Sequence, residues 1–130
     1  MAKIEELKEK AKMGWASFIS FEALTSTAAP KLVQFSGARQ GMKLLDVACG
    51  TGVVALTASR QGVEVEGIDL TPELISRAIE NSKIMGLKAK FVEGDAEFLP
   101  YKENEFDVIL SQYGHMFAPR PAVVVKELAR

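Results

Sequence analysis

Short apolar runs alternate with stretches of helical periodicity from Met42 to the end of the chain. Four runs predict β-strands, at Lys43–Val47, Val63–Ile68, Lys88–Val92 and Phe106–Leu110. Three helices are predicted between and after them, at about 53–61, from Pro72 to about 85, and at 121–130. Strands that alternate with helices over short connections form parallel βαβ units, and the right-handed crossover leaves few layouts. The pattern therefore predicts an α/β fold with a doubly wound parallel sheet.

The first 36 residues have a helical pattern instead. Apolar residues recur at steps of three and four along one face: Ile4, Leu7, Ala11, Trp15 and Phe18. We interpret the charged run from Lys3 to Lys12 as the solvated face of this helix. A second helix, with Pro30 near its start, ends near Gly37. The sequence thus predicts a helical extension, residues 1–41, on a core of residues 42–130 within one compact domain.

Composition narrows the class of protein. Of 130 residues, 48% are hydrophobic and 25% are charged, as in globular rather than disordered chains. A net charge of −1 argues against an electrostatic nucleic-acid binder. The longest uncharged run, residues 47–59, is too short to span a bilayer, and the charged N-terminus does not resemble a signal peptide. With one cysteine and no predicted metal site, we expect a soluble, cytoplasmic protein without a disulfide framework.

Three aspartates stand at the predicted carboxyl ends of successive strands. Asp46 precedes the turn Gly50-x-Gly52, where missing Cβ atoms allow the backbone to approach a ligand closely. Asp69, nineteen residues after Gly50, can accept hydrogen bonds from both hydroxyls of a ribose diol. Asp95 can accept a hydrogen bond from the exocyclic amine of adenine. Each feature alone has a structural alternative, a glycine turn or a turn-capping aspartate. Together they predict a nucleoside site, because ligands of this fold bind outside the carboxyl ends of the strands.

Four segments carry a family resemblance: LLDVACGTG, VEGIDLTPELI, FVEGDAEFLPY and FDVILSQYGHMF. In this order and spacing, residues 43–130 resemble the class I S-adenosylmethionine-dependent methyltransferases. The similarity is closest to the small-molecule branch that includes the ubiquinone and menaquinone biosynthesis C-methyltransferases. The resemblance implies a Rossmann-like sheet of strand order 3-2-1-4, S-adenosylmethionine as cofactor and a small-molecule methyl acceptor.

The resemblance also implies donor-binding roles in the first motif. Asp46 would lie near the methionine amino group, directly or through water. The backbone of Ala48, Gly50 and Gly52 would line the methionine and ribose. Position 48 is often glycine in the family, and alanine is a familiar variant there.

The second and third motifs would bind the nucleoside. Asp69 would hold the ribose diol, and Leu70 would pack on one face of the adenine. Asp95 would accept the adenine amine, and Ala96 would supply a backbone amide to the ring.

The fourth motif would face the reaction. The resemblance places Ser111 and Gln112 against the methionine tail. Tyr113 and His115 are the candidates for a catalytic general base, since the family's loop borders the acceptor here. The alternative is a pair of loop residues that shape the pocket or face water. A dedicated base is not obligatory, because the sulfonium already activates the methyl group.

The N-terminal helices carry aromatic residues at helical spacing, namely Trp15, Phe18, Phe21 and Phe35. Such a pattern is typical of core packing. The resemblance implies a further function, a lid formed by residues 1–41 that closes over the acceptor.

The chain departs from the family at its C-terminus, where the family's strands five to seven have no counterpart. Strand four would then be an apolar edge, which invites pairing with another chain. We therefore expect either a fragment of a longer enzyme or association along strand four, for example as a homodimer. A donor-binding module without catalysis is the main alternative function. A nicotinamide-dependent oxidoreductase also fits the pattern Gly50-x-Gly52-x-x-Ala55, but neither Asp46 nor Asp95 is required in such a site.

Overall fold

A computed structural model describes all 130 residues of the chain. The helices are α1 (Ala2–Trp15), α2 (Glu22–Thr25), α3 (Ala29–Ser36), α4 (Val53–Ser59), α5 (Pro72–Ile84) and α6 (Pro121–Ala129). The strands are β1 (Lys43–Val47), β2 (Glu64–Asp69), β3 (Lys90–Glu93) and β4 (Val108–Leu110). Two 3₁₀ helices, at Ala16–Phe21 and His115–Phe117, complete the regular structure. No helix is both long and apolar enough to cross a bilayer.

The four strands form one parallel sheet in the order β3-β2-β1-β4. Leu45 in β1 lies beside Glu66 of β2 on one side and Ile109 of β4 on the other. The predicted α/β fold, strand order and N-terminal helices are confirmed. Strand β4 is an edge of this sheet, paired on one side only.

Successive residues of the central strand β1 point to opposite faces of the sheet and pack into two separate apolar clusters. Both faces of the sheet are therefore covered. Leu44 is fully buried in the larger cluster, among side chains of α3, α4 and α5. Leu45 and Val47 belong to the other cluster, which Leu99 and Leu128 of the opposite face complete. The doubly wound arrangement follows from this alternation.

Two strands are shorter than the sequence pattern predicts. The chain leaves α5 through Gly86 at φ +65°, and Lys88 and Ala89 remain in the connection before β3 begins. Ahead of β4, the Asp107 carboxylate accepts a hydrogen bond from Lys43 N at 2.8 Å. Phe106 packs edge-on against Tyr101, with ring centroids 5.0 Å apart. Asp107 N also donates to Lys43 O at 2.9 Å, so its side chain adds to the backbone pairing just ahead of β4.

Candidate functional site

A cavity of about 440 Å³ lies at the carboxyl ends of the strands, within the range of small-molecule sites, roughly 300–1,000 Å³. The loops after β1, β2, β3 and β4 form its floor. Helices α1 and α2 and the 3₁₀ helix between them form its roof. This is the position at which a doubly wound sheet binds its ligands.

The loop after β1 bends sharply through three left-handed residues. Ala48, Gly50 and Gly52 have φ values of +55°, +54° and +84°. A Cβ on Gly50 would meet nothing within 4 Å, so this glycine presents open backbone to the cavity. A Cβ on Gly52 would lie 2.9 Å from the Phe91 ring, and Gly52 is absent from the cavity wall. Ala48 and Gly50 therefore face the cavity, whereas Gly52 allows the start of α4 to pack on the sheet.

Asp69 joins two of the loops. Its carboxylate accepts a hydrogen bond from Gly50 N at 2.8 Å and another from Thr71 N at 2.9 Å. Burial raises the pKa of Asp69, and the two backbone hydrogen bonds act against that rise. The contact with Thr71 is the turn-capping alternative expected from the sequence. A carboxylate can accept about four hydrogen bonds. Asp69, which is part of the cavity wall, can therefore still accept hydrogen bonds from the two hydroxyls of a diol.

Asp46 is the most buried acid of the site, 1% exposed. Asp46 is part of the cavity wall, and its carboxylate accepts one hydrogen bond, from Ala55 N at 3.0 Å. Burial raises the pKa of Asp46 to about 7, against a partly compensating hydrogen bond from Ala55 and with a further rise caused by Asp69. Asp46 is therefore half-protonated near neutrality, and a cation placed beside it would favour its charged form.

Asp95 is part of an ionic network at the β3 end of the cavity. Its carboxylate accepts hydrogen bonds from Glu97 N at 2.9 Å and from Lys8 Nζ at 2.5 Å. Lys8 also pairs with Glu97 at 2.8 Å, and Arg120 binds Glu97 with its backbone N–H and its guanidinium. Leu70 and Ala96 line the cavity nearby.

Lys8 corrects one sequence expectation. It is 5% exposed, so the charged run from Lys3 to Lys12 is not a solvated face throughout. Burial acts to lower the pKa of Lys8, but the hydrogen bonds to Asp95 and Glu97 outweigh it and the pKa is raised. Lys8 follows Ile4 by four residues and precedes Ala11 by three, a spacing that places Lys8 on the apolar face. This spacing is the sequence feature that indicates the burial of Lys8.

The segment after β4 divides between the cavity and the outside. Gln112 and Tyr113 line the cavity, whereas Ser111 and His115 do not. Gln112 donates a hydrogen bond to Thr25 O at 2.9 Å, which ties the segment to the roof. Ser111 Oγ instead accepts a hydrogen bond from His115 N at 3.3 Å. Of the two candidate bases, Tyr113 lies at the cavity.

Three aromatic rings of the roof and one from the loop after β4 meet at the cavity. Trp15 lies 4.8 Å from Phe18 and 5.0 Å from Phe117 between ring centroids, and Phe18 lies 5.0 Å from Phe21. All four rings line the cavity. Phe35 does not belong with them, because it is 91% exposed on α3 while Val33, two residues away, is buried. Its assignment to the lid was wrong. Phe117 was missed, since nothing in its local pattern separates it from an ordinary loop aromatic.

The cavity fits S-adenosylmethionine, the cofactor that the sequence resemblance implies. Four buried side-chain polar atoms have no hydrogen-bond partner, and two of them belong to residues of the cavity wall, Gln112 Oε1 and Thr71 Oγ1. Both residues line the cavity, as does the open face of Gly50. The donor's ammonium, hydroxyls and adenine amine are all hydrogen-bond donors, and the site offers carboxylate and amide acceptors. The chemistry of the walls therefore matches that of the ligand.

Comparison with known proteins gives the same family. The family model described as "Methyltransferase domain" matches residues 44–130. An uncharacterized protein of Mycobacterium tuberculosis is 45% identical over 84% of this chain and 40% of its own length. The demethylmenaquinone methyltransferase of Staphylococcus aureus is 36% identical over 77% of this chain and 42% of that protein. The chain thus spans about two fifths of these curated relatives.

Solved structures agree with the sequence matches. A SAM-dependent methyltransferase from Aquifex aeolicus superposes with a TM-score of 0.71 and 25% identity, covering 78% of this chain and 56% of that one. Together these similarities support S-adenosylmethionine as the cofactor. The chain belongs to the methyltransferase domain family, and it resembles the class I S-adenosylmethionine-dependent methyltransferases, among them the ubiquinone and menaquinone C-methyltransferases.

Proposed function

We propose that this chain transfers a methyl group from S-adenosylmethionine to a small-molecule acceptor. One observation carries the proposal: a single cavity joins three strand-end carboxylates, Asp46, Asp69 and Asp95, to a roof of aromatic rings. The carboxylates suit the hydroxyl, amine and ammonium groups of the donor. The aromatic roof suits a compact apolar molecule placed above the donor.

In this proposal the donor lies along the carboxyl ends of three strands. Asp46 and Gln112 hold the methionine end, and Asp69 holds the ribose diol. Asp95 accepts a hydrogen bond from the adenine amine. Leu70 packs against the adenine ring, and Ala96 N–H points to the edge of the ring. Support comes from the position of all six residues in the cavity wall.

Transfer depends mainly on alignment. When bound, S-adenosylmethionine supplies a methyl group already activated by its sulfonium. The chain's residues hold the acceptor in line with the bond that breaks, which contributes as much as about 7–11 kcal/mol in favourable cases. The aromatic roof excludes water from this point. Tyr113, at the cavity wall, is the better placed of the two candidate bases, and His115 would need to turn inward to reach an acceptor.

We further propose that residues 1–41 act as a lid on a donor-binding core, residues 42–130. Support comes from the cavity roof, whose side chains Leu7, Ala11, Trp15, Phe18 and Phe21 all belong to the first segment. A cavity of about 440 Å³ under such a roof favours a small acceptor over a macromolecular one. The net charge of −1 argues in the same direction against nucleic acid. A cytoplasmic location remains part of the proposal.

The proposal is tested by following methyl transfer from S-adenosylmethionine labelled at the methyl carbon. The purified chain is incubated with a panel of small aromatic and aliphatic acceptors, and labelled products are identified by mass spectrometry. Asp69→Ala is expected to abolish transfer. Asp107→Ala is the matched control, because the Asp107 carboxylate also accepts a backbone hydrogen bond but lies outside the cavity. Transfer that persists in Asp69→Ala would contradict the assigned donor site.

A second candidate is a donor-binding module that another chain completes. The free edge of β4 favours it, because the apolar segment Val108–Leu110 pairs on one side only. In the simplest form two copies associate along β4 as a homodimer. Light scattering over a concentration series distinguishes the candidates: a monomer with full transfer activity would remove this one.

A further inference from the structure

The most buried charge on α1 is a lysine whose contacts all lie at the adenine end of the proposed donor site. The side chain of Lys8 is 6% exposed, whereas that of Lys10 on the same helix is 72% exposed. A lysine is rarely buried unless it is paired, and Lys8 pairs with Asp95 and Glu97. The side chain also forms part of the cavity wall.

The network around Lys8 is balanced in charge. Two carboxylates, Asp95 and Glu97, face two cations, Lys8 and Arg120. Arg120 already satisfies Glu97 with three hydrogen bonds between 2.7 and 3.1 Å. Lys8 is thus the only cation with a direct contact to Asp95, and Asp95 is the one acid of the network that lines the cavity. Its carboxylate is fixed from one side by Glu97 N and from the other by Lys8.

The same contact holds the α1 part of the roof in place. On either side of Lys8, Leu7 and Ala11 line the cavity, and Trp15 follows one turn later. The other ion pair between α1 and the sheet, Lys12 with Glu93, is longer, at 3.5 Å, and its glutamate is half-exposed. Such an exposed pair contributes little. The Lys8 contacts therefore set the distance between α1 and the loop that carries Asp95.

We propose that Lys8 is a positioning residue for the donor's adenine, fixing the Asp95 carboxylate and closing α1 over that end of the cavity. This inference rests on the proposed donor site. A carboxylate held on both sides meets the exocyclic amine in one orientation, so adenine is preferred to a base with a carbonyl at that position. Each carboxylate oxygen bound by a single donor can still accept a second hydrogen bond.

The test measures binding of two probes by calorimetry. S-adenosylhomocysteine carries the adenine amine, and S-inosylhomocysteine carries a carbonyl in its place. Lys8→Met is expected to weaken the binding of S-adenosylhomocysteine by roughly ten- to hundredfold, as for loss of a hydrogen bond to a charged group. The binding of S-inosylhomocysteine should weaken less, so that the preference for adenine becomes smaller. Lys8→Arg should restore most of the preference, and Lys10→Met should change neither affinity.

Thermal unfolding of every variant checks that the chain is folded. If Lys8→Met does not fold, Lys8→Gln replaces it, because the shorter and uncharged amide cannot keep the ion pair with Asp95, and the same loss of preference is expected. Equal weakening of both probes would overturn the inference, because Lys8 would then only hold α1. Tighter binding of S-adenosylhomocysteine by Lys8→Met would also overturn it, since Lys8 would compete with the donor. If the wild-type chain binds neither probe, the proposed donor site itself fails.

Discussion

The affinity for S-adenosylmethionine should depend on pH through Asp46. In the free protein, burial raises the pKa of this carboxyl to about 7 from an ordinary value of 3.8. Asp46 is the acid expected beside the donor's methionine ammonium. A cation at that place stabilises the carboxylate and lowers its pKa, so that binding requires loss of a proton whenever the free site is protonated.

The magnitude follows from the shift. If the bound carboxyl returns close to 3.8, affinity falls tenfold per pH unit below the pKa of the free site. Between pH 7 and pH 5 the loss is about 50-fold, and roughly 0.9 proton is released per donor bound at about pH 6. The pH range of this prediction ends near pH 7, because the amino group of S-adenosylmethionine itself loses its proton at about pH 8.

Calorimetry in two buffers of different ionisation enthalpy measures both quantities. Asp46→Asn is the matched control, because an amide oxygen can still accept the hydrogen bond from Ala55 N. It should bind more weakly at neutral pH, with no proton release. An affinity that is constant between pH 5 and 7, or a pH dependence that persists in Asp46→Asn, would refute the placement of the ammonium beside Asp46.

Four further outcomes are expected. Asp46→Asn should raise the unfolding midpoint at pH 7 and above but not near pH 4. The raised pKa of Asp46 in the folded chain lowers the free energy of unfolding as the pH rises from about 4 to about 7. Near pH 4 the wild-type carboxyl is protonated, so the substitution removes no charge there. Ala48→Gly should stabilise the chain by about 1 kcal/mol in chemical denaturation, because φ +55° strains alanine and not glycine; a destabilised variant would contradict this account of the loop. Gly114→Ala should cost about 1–3 kcal/mol, since its Cβ would lie 2.3 Å from Ala48 Cβ, and adding Ala48→Gly should recover part of that cost; strictly additive effects would exclude the contact. The Cys49 thiol should react with a thiol reagent only as fast as the chain unfolds, because burial raises its pKa well above the usual value; rapid labelling of the native protein would contradict this.

The fold is readable from the sequence because its signals are local. The run at Lys43–Val47, the turn at Gly50 and the proline at position 72 each mark a strand or helix end within a few residues. Short connections and right-handed crossovers then leave few sheet orders. The link between distant motifs is also partly readable, since Asp69 and Gly50 prove to be hydrogen-bonded to each other.

The parts that the sequence did not reveal depend on tertiary partners. Lys8 is buried only because Asp95 and Glu97, more than 80 residues away, surround its ammonium. His115 follows a turn in which Tyr113 has a φ of +65°, a value that is unusual for that residue and has no sequence signature. Gly52 follows the glycine pattern of the loop, yet Phe91 rather than a ligand occupies the space beside it.

The central claim is that this chain contains a formed S-adenosylmethionine site. Calorimetric titration of the purified chain with S-adenosylmethionine, and separately with NADH, tests it most directly. We predict saturable one-site binding of S-adenosylmethionine, lost in Asp69→Ala and kept in Asp107→Ala, and no binding of NADH. A folded chain that fails to bind S-adenosylmethionine, or that binds NADH as well, would contradict the claim.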